Sequence, residues 1–156
     1  MIVIPSLHIV LHQPEIPQNA GNIGRTCVAV DAKLWLVRPL GFQISDRQVR
    51  RACLDYWQYL SWEVVDSWEE MPERIPDWRP WYFSKSATQL YSDVDYQPGD
   101  ALVFGSETTG LPRMYLEQNP TRSVRIPINS RVRSLNLANA VAVAAYEAIR
   151  QWRVGR

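Results

Sequence analysis

Thiol and imidazole are scarce in this chain. Its 156 residues hold two cysteines, Cys27 and Cys53, and two histidines, His8 and His12. The cysteines form no CxxC and lie far in sequence from the histidines, so no zinc site can be assembled from them and no metal is expected. Long apolar runs are missing as well. Nothing approaches the roughly 18 consecutive apolar residues of a membrane-spanning helix. The opening MIVIPSLHIVLHQPEIPQN has neither a basic leader nor a small-residue cleavage site. These absences give the expectation of a soluble, unprocessed, cytoplasmic protein with reduced thiols. Hydrolytic machinery is absent too: there is no HExxH and no carboxylate-metal cluster, and two histidines on one predicted strand furnish no Ser/His/Asp set. Both histidines read as structural. Neither GxGxxG nor GxxxxGK[ST] occurs, which removes the dinucleotide and P-loop signatures.

What is present fits one globular domain over residues 1–156, with 46% hydrophobic content. Net charge is +1, too small for a protein that coats nucleic acid through a broad positive field. The distribution says more. Fifteen of the 17 basic residues are Arg, grouped as Arg47, Arg50 and Arg51, then Arg122 and Arg125, then Arg131 and Arg133, while acids crowd between Glu63 and Asp77. A planar guanidinium suits phosphate and stacking; a GC-rich genome and solvated faces would give the same bias.

Short apolar stretches at Leu7–His12, Lys33–Arg38, Leu60–Val65, Trp81–Ser84, Ala101–Phe104 and Ser123–Ile126 read as strands. Between them, Asn22–Val30, Asp46–Leu54, Ser67–Glu73 (with Ser67 as N-cap) and the segment from Pro112 to about Gln118 read as helices. The alternation predicts an α/β domain, a parallel sheet covered by helices on both faces. The last helix, from about Leu135 to Trp152, is apolar nearly all round up to Tyr146, which predicts burial on more than one side and a second copy of the chain against it.

Ligands of such sheets sit beyond the carboxyl ends of the strands, and three loops there stand out. QPEIPQNAGNIGR, Gln13–Arg25, has Gly21 and Gly24 for close backbone approach and Asn22 as a candidate helix cap, although an ordinary turn would look the same. GSETTGLP, Gly105–Pro112, follows a fully apolar strand and is richer in special residues than a simple turn requires. PINSRVRS, Pro127–Ser134, precedes the last helix, with Ser134 as a candidate N-cap; its arginines either contact phosphate or keep the loop soluble.

At these loops the chain resembles the SPOUT methyltransferases, most closely their minimal tRNA wobble-nucleotide 2′-O-methyltransferases. PEIPQNAGNIGRTC (Pro14–Cys27), LVFGSETTGLP (Leu102–Pro112) and RIPINSRVRSLNLANAVAVAAYE (Arg125–Glu147) carry the resemblance, together with PLGFQISDRQVRRACLDYW (Pro39–Trp57). It spans essentially the whole chain, without the N-terminal RNA-binding extension of larger relatives. The resemblance implies a C-terminal segment threaded into a deep trefoil knot, an exception to the rule against knots, and a homodimer through the C-terminal helix. It implies S-adenosylmethionine held mainly by backbone, with contacts at Phe83, Gly105, Ile126, Ser134 and Leu135.

The resemblance also places Arg25 at the reacting ribose with Asn19, Asn136 and Tyr146 nearby. The implied substrate is the ribose of cytidine or uridine 34 in the anticodon loop of tRNA, leucine tRNAs foremost. Arg47, Arg50, Arg51, Arg131 and Arg133 would seat the RNA backbone. The family's proposed base is the arginine equivalent to Arg25, yet free arginine titrates above about 12; an RNA phosphate or a positioned water is an alternative proton relay. Tyr146 reads equally as a dimer-interface aromatic, and Asn136 and Asn139 as polar groups bonding across a dimer. Three other functions stay open: the same chemistry on another RNA such as ribosomal RNA, a non-catalytic RNA-binding module on this fold, and a metabolic enzyme that binds a mononucleotide.

Overall fold

The structure, a computed structural model, describes residues 5–44, 47, 51 and 55–154. Seven strands form one sheet in which every pairing is parallel. They are β1 (Leu7–His12), β2 (Ala32–Val37), β3 (Trp62–Val65), β4 (Pro80–Phe83), β5 (Gln89–Leu90), β6 (Ala101–Phe104) and β7 (Ser123–Arg125). The hydrogen-bonded order is β3-β2-β1-β6-β4-β7-β5. The chain first builds outward from β1 to β3. It then crosses to the far half and returns to insert β6 beside β1, so the progression of strands reverses between β1 and β6. The two-residue β5 went unanticipated, being too short to show a period; the other six strands lie where the alternation puts them, within two residues.

Alternate side chains along each strand enter opposite cores. Leu7, Ile9, Leu11, Leu34, Leu36, Trp81, Phe83, Leu102 and Phe104 join one; Val10, Trp35, Val37, Tyr82, Ala101 and Val103 join the other. The first core is closed by α1 (Pro17–Ala29), through Ile23 and Cys27 at helical spacing, and by α4 (Leu137–Val154), through Ala138, Val141, Ala144, Ala145 and Ala148. Four of those five α4 residues are alanine, which lets the helix lie close to the sheet and to α1. The second core takes Met71 of α2 (Met71–Arg74) and Leu116 of α3 (Arg113–Gln118), and adds the stacked rings of Trp68 and Tyr115, 4.8 Å apart. Helices therefore cover both faces. Among the described residues no helix is long and apolar enough to cross a membrane.

Several local expectations change in detail. Helix α1 begins at Pro17, where proline suits the first turn, so Asn22 is an exposed mid-helix residue and not its cap. Gly21 and Gly24 are buried inside the same helix, and neither lies in a loop. Ser67 does cap its helix: its side chain and that of Glu70 form a reciprocal capping box over a 3₁₀ turn that runs into α2. Most of the Asp46–Leu54 helix, including Arg50, lies outside the described residues; Arg47 and Arg51 are helical and exposed.

Candidate active site

The carboxyl ends of β1, β4, β6 and β7 open into one cavity of about 650 Å³, within the size range of small-molecule sites. Its floor is apolar: Phe83 and Phe104 stack with centroids 4.6 Å apart at 19°, and Ile126, Leu135, Leu137 and Ala140 continue the wall. The polar groups include Ser84, Lys85 and Ser86 after β4, Glu107 and Thr108 after β6, and Arg133 and Ser134 before α4.

The loop after β6 folds back tightly on itself. Gly110 N–H donates to the Ser106 carbonyl at 3.0 Å, and Ser106 Oγ lies 2.7 Å from Thr109 Oγ1. The return brings backbone over Gly105 so closely that a Cβ there would lie 2.0 Å from the Gly110 carbonyl carbon and 2.1 Å from Leu111 N. Only glycine fits, since backbone atoms cannot yield as a side-chain tip can.

This loop is clasped to the loop after β1 by two carboxylates acting in opposite directions. Glu107 accepts the backbone N–H groups of Glu15 (2.8 Å) and Ile16 (3.1 Å), while Glu15 accepts the backbone N–H of Thr108 (3.2 Å) and its hydroxyl, 2.6 Å from both carboxylate oxygens. The Thr108 hydroxyl, followed by its amide, holds the Glu15 carboxyl below the usual carboxylate range. A third loop supports the clasp from behind: Gly41 donates to the Pro14 carbonyl at 2.9 Å, and a Cβ on Gly41 would stand 2.7 Å from Glu15 Cα.

Glu107 also joins the clasp to the last helix. Buried Asn19 donates to Glu107 Oε1 at 3.3 Å and accepts from Asn136 Nδ2 at 3.0 Å. The other amide atom of Asn136, Oδ1, accepts Asn139 N–H at 3.2 Å, and its carbonyl accepts Ala140 N–H at 3.0 Å. Asn136 is therefore the N-cap of α4, in place of the anticipated Ser134, which is exposed and lines the cavity.

All five residues anticipated for the cofactor, Phe83, Gly105, Ile126, Ser134 and Leu135, lie in the cavity wall. Asn19 and Asn136 meet directly. Arg25 lies apart from them on the exposed side of α1, against Tyr56: its Nη2 donates to the Tyr56 hydroxyl at 3.3 Å, and its guanidinium carbon lies 4.8 Å from the ring centroid. Tyr146 is 53% exposed on α4 and takes no part in the asparagine network. Arg133 reaches the cavity and Arg131 is exposed outside it. Glu107 and Tyr56 had not been singled out. The signal for Glu107 was an acid in the middle of a glycine loop directly after a buried strand; Tyr56 carried none in one dimension, since its partner lies 31 residues away.

The histidines are structural. His8 Nδ1 accepts the indole N–H of Trp35 at 3.0 Å, and burial followed by the Lys33 ammonium pushes its imidazole down to about 4. His12 Nε2 lies 3.2 Å from the Tyr115 hydroxyl, and burial lowers its pKa also. Among the described residues no group of three or more His, Cys, Asp and Glu gathers as a metal site.

A parallel sheet with a ligand cavity at its strand reversal, walled by three such loops, defines an α/β group-transfer or ligand-binding domain. Residues 6–146 match the SpoU rRNA Methylase family model, and the chain belongs to that family. It is 44% identical over 144 residues to the tRNA (cytidine(34)-2′-O)-methyltransferase of Methylovorus glucosotrophus, covering 92% of this chain and 94% of the relative. A solved structure from work on 2-OH methylation of C/U34 on tRNA superposes with a TM-score of 0.90 at 46% identity, over 96% of this chain and 97% of that one. An AdoMet-bound rRNA methyltransferase from Sinorhizobium meliloti gives 0.82 at 25% identity, over 93% of this chain and 56% of its own.

Proposed function

We propose that this protein methylates the 2′-hydroxyl of the wobble ribose, cytidine or uridine 34, in tRNA, with leucine tRNAs foremost, using S-adenosylmethionine. The observation that carries the proposal is the single cavity into which all three motif loops open, in a chain so similar over nearly its full length to a named tRNA (cytidine(34)-2′-O)-methyltransferase.

The lining fits this cofactor. Phe83, Phe104, Ile126 and Leu135 offer apolar surface for a flat base, Ser84, Ser86 and Ser134 offer hydroxyls for a ribose and an amino-acid moiety, and Glu107 supplies negative charge for a sulfonium. When bound, the cofactor supplies an electrophilic methyl on a leaving group that departs neutral, so no general acid is required. The protein has to orient the ribose hydroxyl and see its proton removed. Arg25 is exposed, charged and without a carboxylate partner among the described residues, which suits a role of holding the RNA phosphate beside the hydroxyl, with the phosphate or a water taking the proton. Arg131 and Arg133 on the loop before α4, with Arg47, Arg50 and Arg51, seat the rest of the anticodon loop.

The working unit is a dimer with α4 at its interface. Asn139, Val143, Tyr146 and Arg150 form an exposed stripe at helical spacing, and two of the four carry large apolar surface, 39% exposed in Val143 and 53% in Tyr146. The knotted threading implied by the resemblance belongs to the same reading, with residues 126–136 passing beside the 105–111 loop to form the cavity wall.

Incubation of the purified protein with S-adenosylmethionine and tRNA lacking wobble methylation, followed by nucleoside and fragment mass spectrometry, tests the proposal. A methyl gained on the ribose of nucleotide 34 is the expected result. Methyl transfer to ribosomal RNA alone, or to no RNA, overturns it.

A further inference from the structure

We infer that Tyr56 is the positioning residue for Arg25, holding the guanidinium in place without neutralising it; the inference rests on the functional role proposed above for Arg25. A solvent-exposed arginine ordinarily samples many rotamers, and fixing one costs conformational entropy that a reaction would otherwise meet at each binding event. Most proteins fix arginine with a carboxylate. Here that solution would cancel the charge on which phosphate binding depends, and among the described residues no Asp or Glu lies within ion-pair distance of Arg25. Tyr56 supplies the alternative, since its ring faces the cation at 4.8 Å and its hydroxyl oxygen accepts from Nη2 at 3.3 Å. One donor of the guanidinium is engaged and the remaining N–H groups stay available.

The tyrosine is itself anchored from the other side. It is half-buried against the core shared by the sheet, α1 and α4. It leads into a 3₁₀ turn, Trp57–Tyr59, fixed by Tyr59 N–H to the Tyr56 carbonyl (2.9 Å) and Leu60 N–H to the Trp57 carbonyl (3.1 Å). Trp57 packs on Trp62 of β3 with ring centroids 5.3 Å apart. Tyr56 thus ties Arg25 on α1 to the β3 edge of the sheet. Neither element would fix the side chain alone.

The test uses the full-length protein with Tyr56→Phe, which keeps the ring and loses the hydroxyl, and Tyr56→Leu, which loses both. The first readout needs no substrate: NMR relaxation of the Arg25 Nε–Hε group should report a rigid side chain in the parent, looser in Tyr56→Phe and freely mobile in Tyr56→Leu. The second is tRNA affinity and single-turnover methylation, each repeated in an Arg25→Ala background. The expected result is roughly a tenfold loss for Tyr56→Leu and a smaller one for Tyr56→Phe, with S-adenosylmethionine affinity unchanged and no further loss of tRNA affinity once Arg25 is gone. An unchanged Arg25 mobility overturns the inference, as do losses of equal size with and without Arg25, which would make Tyr56 a fold residue. Should Tyr56→Leu fail to fold, Tyr56→Phe carries both readouts. A parent protein that methylates no tRNA overturns the functional proposal, while the relaxation measurement still decides whether Tyr56 fixes Arg25.

Discussion

The amide of Asn136 meets that of Asn19 at 3.0 Å across 117 residues of sequence. Through this contact the N-cap of the last helix is bonded to the first helix, and through Glu107 to the loop between them. A site assembled in this way responds as a unit.

Asn136→Ala removes the cap and leaves Asn19 Oδ1 short of its donor. The cap contributes about 1 kcal/mol and the buried orphan about 1 to 3 kcal/mol. Chemical denaturation should show a loss in that combined range, and calorimetry should show weaker S-adenosylmethionine binding, because Leu137 and Ala140 of the displaced helix line the cavity. Full stability in the variant would mean that the amide pair contributes nothing.

Gly105→Ala places a methyl where backbone already stands, 2.0 Å from Gly110. The loop must open, carrying Glu107 and Thr108 with it. Cofactor affinity should fall by at least roughly tenfold, about 1.4 kcal/mol, in a protein whose far-ultraviolet circular dichroism is unchanged. Wild-type affinity would show that the loop can move at no cost to the site.

Arg25→Ala should reduce tRNA methylation by roughly a hundredfold, the lower end of what positioning a proton transfer contributes, and leave S-adenosylmethionine binding intact, since Arg25 is outside the cavity wall. Normal turnover would remove Arg25 from the mechanism.

The His8 imidazole has its folded-state pKa depressed from 6.5 to about 4. A depressed value means that the unfolded chain binds the proton more tightly, so the stability from this group is complete above pH 6.5. It is lost as pH falls toward 4. The full loss is on the order of 3 kcal/mol at 1.36 kcal/mol per unit, and His12, also depressed, adds in the same direction. Denaturant midpoints measured from pH 7.5 to 4.5 should decline across this window, less steeply in a His8→Gln variant that folds. Identical slopes would assign the decline to other groups.

Tyr146→Asp puts charge into the exposed stripe of α4. Sedimentation should shift the protein from dimer to monomer, with cofactor affinity within a few-fold of the parent. A protein that remains dimeric places the interface elsewhere.

Much of the architecture was legible in one dimension because it depends on one-dimensional signals. Leu7–His12 and Ala101–Phe104 are strands at the anticipated boundaries, as alternate residues must face two apolar layers. Gly105, Ile126 and Ser134 are in the cavity because loops at the carboxyl ends of parallel strands have nowhere else to converge. Errors arose where another residue overrules a local cap signal. Asn22 looks like a cap until Pro17 starts the helix a turn earlier, and Ser134 yields to Asn136 because the amide of Asn136 can serve α4 and Asn19 at once. The Glu15–Glu107 clasp joins residues more than 90 positions apart, and no local periodicity encodes it.

The cavity draws its wall from Ile16 to Ala140, and its bracing from both the first helix and the last. On a ribosome, where residues emerge in order, β1 and α1 can dock against β2 early, yet the pocket has no far wall until the loop before α4 has left the exit tunnel. Completion of the cavity is then one of the last events of synthesis. Premature termination before that loop yields a chain without the wall formed from Ile126 to Ala140.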